Sequence, residues 1–289
     1  NDKRTLDKFG EWFYDTKTST FYMYFGTENT TNHTVKVATL NSLIVLERGM
    51  TYNQIENVSL MGSNNIAING LGYNHNSKIE NCNISLCGHK GVFTFAAKNF
   101  NINNSIFEYC NDNAIAILDG CDNIYIGNNT ITEIGLFPGM GEGIWESGKA
   151  IFIRGNDNSI VEYNKVKNAG FSGIHFSGNN LILRYNFVDT YGVIKEDCGG
   201  MQYSNRDIYS NMKVLNNIIV NGLGSTGGQP IELKHWVAGI YLDSYTTGGV
   251  EISENTIVNV MDMGGILISG SQNVVIKNNT IFESTSGVR

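Results

Sequence analysis

The chain is poor in most of what a helical, nucleic-acid-binding or membrane-spanning protein needs. Only 16% of its 289 residues are charged, the net charge is −7, and the Lys and Arg residues form no cluster. Phosphate backbones demand a basic footprint, so DNA and RNA are excluded as partners. No apolar run approaches the ~18 residues of a membrane-spanning helix, which excludes that kind of span. Proline occurs twice, and no dozen-residue window has the 3,4,3 apolar spacing of a helix, so helix should be scarce. The five cysteines (Cys82, Cys87, Cys110, Cys121, Cys198) are odd in number and form no CxxC pair. That argues against both a zinc site and a closed disulfide framework. Residue 1 is Asn and no signal peptide is visible, so a processed or trimmed chain is expected.

What is present is Gly, at 33 residues, abundant Asn, and short alternating runs such as "IAIL", "IYIG" and "ILIS". Such alternation describes half-buried strands, and the class is all-β. A motif apolar-x-x-Asn-x-apolar recurs with its Asn at 129, 164, 186, 217, 255 and 279, and earlier copies place Ser105, Cys82 and Val58 there. A second motif, a small residue before an alternating strand, follows each copy: "GVFTF", "AIAIL", "AIFIR", "GIHFS", "GMQYS", "GIYLD", "GILIS". Short strands joined by Asn/Gly turns in repeats of 22 to 24 residues predict a right-handed parallel β-helix of about nine coils. Asn stacked on successive coils can share amide hydrogen bonds, so this column is expected to be structural. At about 4.8 Å per coil the rod should be roughly 40 Å long.

Spacing between column positions runs 24, 23, 24, 35, 22, 31, 38 and 24. A fixed core cross-section sets coil length, so the three overlong coils must expel loops, and loops on a rigid scaffold are where function concentrates. Those loops contain "LFPGMGEGIWESG", "KEDCGGMQYSNRD" and "GLGSTGGQPIELKHW". In the strand following each small residue, alternate side chains face outward. The outward column reads Phe93, Ala116, Phe152, His175, Gln202, Tyr241, Leu267, and two residues further Phe95, Leu118, Arg154, Ser177, Ser204, Asp243, Ser269. Arg154, His175, Gln202, Tyr241 and Asp243 should form a polar groove, with Ala150, Gly173, Gly200 and Gly239 leaving room beside it. Aromatic faces and polar groups together suit a polysaccharide or oligosaccharide. Asp197 and Asp243 stand beside inserted loops. Glu232, Lys234, His235 and Trp236 precede "GIYLD" and are candidate substrate-binding residues. Glu142, Glu146, Lys195, Glu196 and Arg206 read as loop salt-bridge partners, while Cys87 and Cys110 should stack inward.

Three segments resemble a known family. "GEWFYDTKTSTFYMY" (10 to 24) is similar to the lead-in of many bacterial right-handed β-helix carbohydrate-active proteins, and "EDCGGMQY" and "AGIYLD" resemble motifs of β-helix glycoside hydrolases that include α-L-fucosidase and xylanase members. The resemblance implies an aspartate pair as acid and base, at the matching Asp197 and Asp243. Gln202, Tyr203 and Ser244 depart from the commoner pattern.

Hydrolysis needs two carboxyls flanking the bond. Along a straight path Asp197 and Asp243 would stand about 23 Å apart at 3.3 Å per residue, so the pairing requires "DCGG" to bend back. Otherwise Glu232 is the substitute partner. The alternatives are a polysaccharide lyase, with Lys195, Arg206 or His235 as base and a cation or calcium ion on the uronate, and a non-catalytic glycan-binding rod. No cofactor is indicated, and no compact acidic cluster marks a calcium site. Residues 1–50 are expected to cap the first coil, and residues 51–289 to form the β-helix. Further coils, another domain or a partner chain should cover its last coil. A glycan substrate implies an extracellular or periplasmic location.

Overall fold

The computed structural model describes residues 2–141, 143, 146–204, 207–225, 235–243 and 248–289. Two compact units, Asn1–Ala38 and Thr39–Arg289, make up the chain. In the smaller, the alternating aromatics form an antiparallel hairpin of Trp12–Asp15 and Thr20–Met23. Trp12 stacks on Phe21 and Phe13 on Tyr22 across it.

The larger unit is the parallel β-helix. Each coil contributes three short strands, except that Ile115–Gly127 runs unbroken through the first two, and each strand pairs in parallel with its counterparts one coil away. The first column runs from Ile44–Leu46 to Gly264–Ser269, the second from Gln54–Glu56 to Val274–Lys277, and the third from Ser59–Ser63 to Thr280–Phe282. The third column is a nine-stranded sheet, which fixes nine coils among the described residues. Its first-column strand Ile44–Leu46 precedes the point at which the repeat becomes readable in the sequence.

Register stacks like on like. In the second column Ile79, Ile102, Ile126, Val161, Leu183, Val214 and Ile252 lie one above another. All are buried, and each such side chain contributes about 1.5–3 kcal/mol of hydrophobic stabilisation. Cys87 and Cys110 pair in register and are buried, as expected.

The Asn column is a continuous buried ladder. Asn129, Asn164, Asn186, Asn217 and Asn255 each donate their side-chain amide to the Oδ1 of the next Asn, at 2.9–3.0 Å, ending on Asn279. Each also donates to a backbone carbonyl, as Asn186 does to Val161. A second, exposed ladder went unread in the sequence: Asn76, Asn99 and Asn123 bond in series, as do Asn158, Asn180 and Asn211. Asn76, Asn99, Asn123, Asn158, Asn180 and Asn211 have φ of 50–56°, the left-handed region that Asn tolerates better than most residues. That tolerance explains why the turns select Asn.

The small residues at the head of the first column do not leave room beside a groove. They face the core: a Cβ on Gly173, Gly200 or Gly239 would lie 2.4, 2.4 or 2.5 Å from Val188, Ile219 or Ile257 of the third column. A side chain at these three glycines would collide with the opposite sheet, so small residues there let it close in.

Candidate functional site

The outward column lies in the register read from the sequence. Phe93, Ala116, Phe152, His175, Gln202, Tyr241 and Leu267 are successive partners. Yet Phe152, His175, Gln202 and Tyr241 are buried, at 2–5% exposure. With neighbouring residues the first three line a cavity of about 390 Å3, bounded by Glu146, Lys149, Phe152, Arg154, Phe171, His175, Asp197, Gln202, Ser204 and Asp243.

Both aspartates reach it. Asp243 ends the first-column strand Val237–Asp243. Asp197 arrives from the preceding coil by the bend that the pairing required. A Cβ on Gly199 would fall 2.8 Å from the Met201 carbonyl oxygen, whereas residues two apart in an extended strand are separated by about 6.6 Å. The chain therefore folds sharply at Gly199, and Asp197 has a φ of 58° just before it. Gln202 holds the bend: its Nε2 donates to the Asp197 carbonyl at 3.4 Å, and its Oε1 accepts from Ser172 Oγ. Gln202 thus positions Asp197, and both ends of its amide are already engaged.

Tyr241 stands between the carboxyls. Its hydroxyl donates to Asp197 Oδ1 at 3.3 Å, and Asp243 is close enough for its charge to raise the Tyr241 phenol. Burial pushes both carboxyls above the usual range. Asp197 is raised further by the charges of Asp243 and Glu196; Tyr241 favours the ionised form of both carboxyls, and Ser204 that of Asp243 as well. Burial also raises the Tyr241 phenol far above its ordinary value, so it remains protonated.

His175 forms part of the cavity floor, 5.0 Å from the Phe152 ring. Its Nε2 lies 3.2 Å from the Ser204 carbonyl, which can only accept, so Nε2 bears the proton and Nδ1 is an acceptor. Nδ1 is buried and has no partner. Burial, with the nearby charges of Lys149 and Arg154, holds the ring neutral. Arg154 is at the rim, bound to both carboxylate oxygens of Asp119 (3.1 and 2.8 Å) and to Glu146 at 2.9 Å. Lys149, Phe171 and Ser204 were not singled out from the sequence. The readable signal for Lys149 was a lone Lys directly before the small residue Ala150, where the strand turns inward.

His235 and Trp236 lie outside the cavity. His235 Nδ1 is 2.6 Å from the Gly224 carbonyl, which turns the ring away, and Trp236 is 49% exposed. Lys195 donates to the Ser147 carbonyl at 3.0 Å and to its hydroxyl. Glu232, Lys234, Glu142, Arg206 and Ser244 fall outside the described residues. Among the described residues no three His, Cys, Asp or Glu converge as metal ligands, and no helix is long and apolar enough to cross a membrane.

Comparison with known proteins supports the architecture. A family model described as the right handed beta helix region matches residues 13–149. The chain is similar in structure to an alginate lyase from Paenibacillus sp. str. FPU-7, with a TM-score of 0.60 and 11% identity over 87% of this chain and 92% of that one. It is also similar to a mutant tailspike protein of E. coli bacteriophage HK620 solved in complex with a pentasaccharide, with a TM-score of 0.56 and 13% identity over 88% of this chain and 50% of that one. At these identities the likeness is one of fold, the right-handed parallel β-helix. No curated protein sequence matches the chain.

Proposed function

We propose that the protein hydrolyses glycosidic bonds of a polysaccharide or oligosaccharide in this cavity, with Asp197 and Asp243 as the carboxyl pair. The observation that supports this most is their convergence from different coils on one phenol, with burial raising both. Two buried carboxyls close enough to act on one another are not both readily ionised, so one proton held between them is favoured. A carboxyl pair sharing one proton is the state that acid and base catalysis requires.

We assign the proton to Asp197, whose carboxyl is raised by burial and by the negative charges of Asp243 and Glu196, and the ionised form to Asp243, for which burial is the one raising cause. Asp197 then protonates the departing glycosidic oxygen while Asp243 activates water or attacks the anomeric carbon. Phe152 and Phe171 supply apolar walls for the sugar rings. The fold neighbours agree with a saccharide ligand: one is an alginate lyase and the other was solved with a pentasaccharide. A glycan substrate in turn implies an extracellular or periplasmic site of action.

A second reading, β-elimination from a uronate, is favoured by Lys149, which burial holds down to about 7, in the range of a general base. Reducing-sugar release from a panel of glycans, with ultraviolet absorbance recorded, decides between them. Hydrolysis gives release without absorbance. Elimination gives an absorbing unsaturated product, and no product on any glycan would leave only binding.

A further inference from the structure

Besides Asp197 and Asp243, the cavity is lined by Lys149, which is close enough to His175 for its charge to act on that ring. Lys149 is 3% exposed. Its Nζ sits 4.0 Å from the centre of the Phe152 ring and 5.9 Å from that of Phe171, without a hydrogen bond or ion pair to any described residue.

The rod provides its own control. Lys90 stands at the equivalent position, two residues before Val92 as Lys149 is two before Ile151, and those residues share the Ile115 register. Lys90 is also buried, but its Nζ lies 2.6 Å from Asp112. Burying an ammonium is unfavourable unless an anion accompanies it. At Lys90 the protein supplies that anion. The charged groups that act on Lys149 are Glu146, Asp112, Arg154 and Lys195. Glu146 is bound to Arg154 and Asp112 to Lys90.

We propose that the missing anion belongs to the substrate: Lys149 seats a carboxylate or sulfate of an acidic glycan, and the adjacent His175 Nδ1 accepts a hydroxyl of the same sugar. This deepens, and rests on, the reading of the cavity as a glycan-cleaving site. With the seat empty, burial holds Lys149 down to about 7, so the seat is charged below neutrality and loses its charge above. A bound anion raises that value again, and binding near neutrality takes up a proton.

The test is calorimetric titration of the Asp243→Asn protein, which binds without turnover. The ligands are an oligouronate, its carboxyl-reduced counterpart and a sulfated galactan oligosaccharide. One charge-assisted hydrogen bond corresponds to roughly ten- to hundredfold in affinity. An acidic ligand should therefore bind at least ~10-fold more tightly than the reduced one, with the preference shrinking as pH rises above ~7. Adding Lys149→Met, which keeps the apolar stem and should fold, removes the preference. The uronate and sulfate arms identify the anion.

Equal affinity for acidic and reduced ligands, or a preference that survives Lys149→Met, overturns the inference while leaving the glycan reading intact. An absorbing product made by the wild type and lost in Lys149→Met makes the lysine a base and overturns its role as a seat. Failure of every glycan, acidic or neutral, to bind removes the glycan reading as well.

Discussion

Two buried polar columns climb the same rod, and they differ in one respect. The Asn ladder from Asn129 to Asn279 repeats one residue type in register, and each buried amide has its acceptor. The outward column from Phe152 to Tyr241 changes residue at every coil and leaves His175 Nδ1 without a partner, and near it Lys149 has no anion among the described residues. Buried polar groups are costly when unpaired, so a fold keeps them only where something repays the cost. In the ladder the repayment is internal. In the cavity, on the reading proposed above, it comes from a ligand.

The largest test of that contrast is at the aspartates. Asp197→Asn or Asp243→Asn should lower turnover by about 10²–10⁴-fold, with the thermal midpoint unchanged or raised, because each removes a buried carboxyl. Parallel rates and melting curves check it. In the ladder the pattern inverts: Asn186→Ala leaves the buried backbone N–H of Asn164 without its acceptor and breaks the side-chain ladder, and should cost about 2–4 kcal/mol in denaturant unfolding, with turnover per folded molecule retained.

Lys149→Met sharpens the contrast through pH. The folded value of about 7 lies below the ordinary 10.5, so between these values the unfolded chain holds more protons and stability rises with pH. The destabilising contribution is fully present below ~7 and fades toward ~10. Unfolding measured across that window should show the rise in wild type and a flatter curve in Lys149→Met. Asp197 and Asp243 act in the opposite sense: their folded values are raised, so their protonated forms favour folding at low pH, and that contribution is lost as pH rises through the folded values. Activity should accordingly fall on the alkaline side once Asp197 loses its proton. The smallest effect belongs to the exposed ladder, where Asn123→Ala should cost about 0.5 kcal/mol, since water replaces the lost partner.

The repeat made the fold legible. Period, coil count, the Asn ladder and the outward register all follow from a residue type recurring at near-constant spacing, and stacking enforces the same spacing in space. The site was legible only where it shared that register: His175, Gln202, Tyr241 and Asp243 were placed by counting strands. Burial was not, because it depends on neighbours outside the repeat: Phe152, His175, Gln202 and Tyr241 leave the strand on its outward side and are buried all the same. Asp197 was reached through Gly199 and Gly200, whose pairing signals a bend without giving its direction. Lys149 was overlooked because its meaning lies in an absent partner, visible only beside Lys90 and Asp112 in three dimensions.

The most direct measurement is cleavage of an oligosaccharide in water enriched in heavy oxygen, followed by mass spectrometry, for the wild type and both aspartate variants. The account predicts one heavy oxygen in each wild-type cleavage product pair and none from Asp197→Asn or Asp243→Asn. Cleavage that proceeds undiminished in both variants, or products that take up no heavy oxygen, would contradict it.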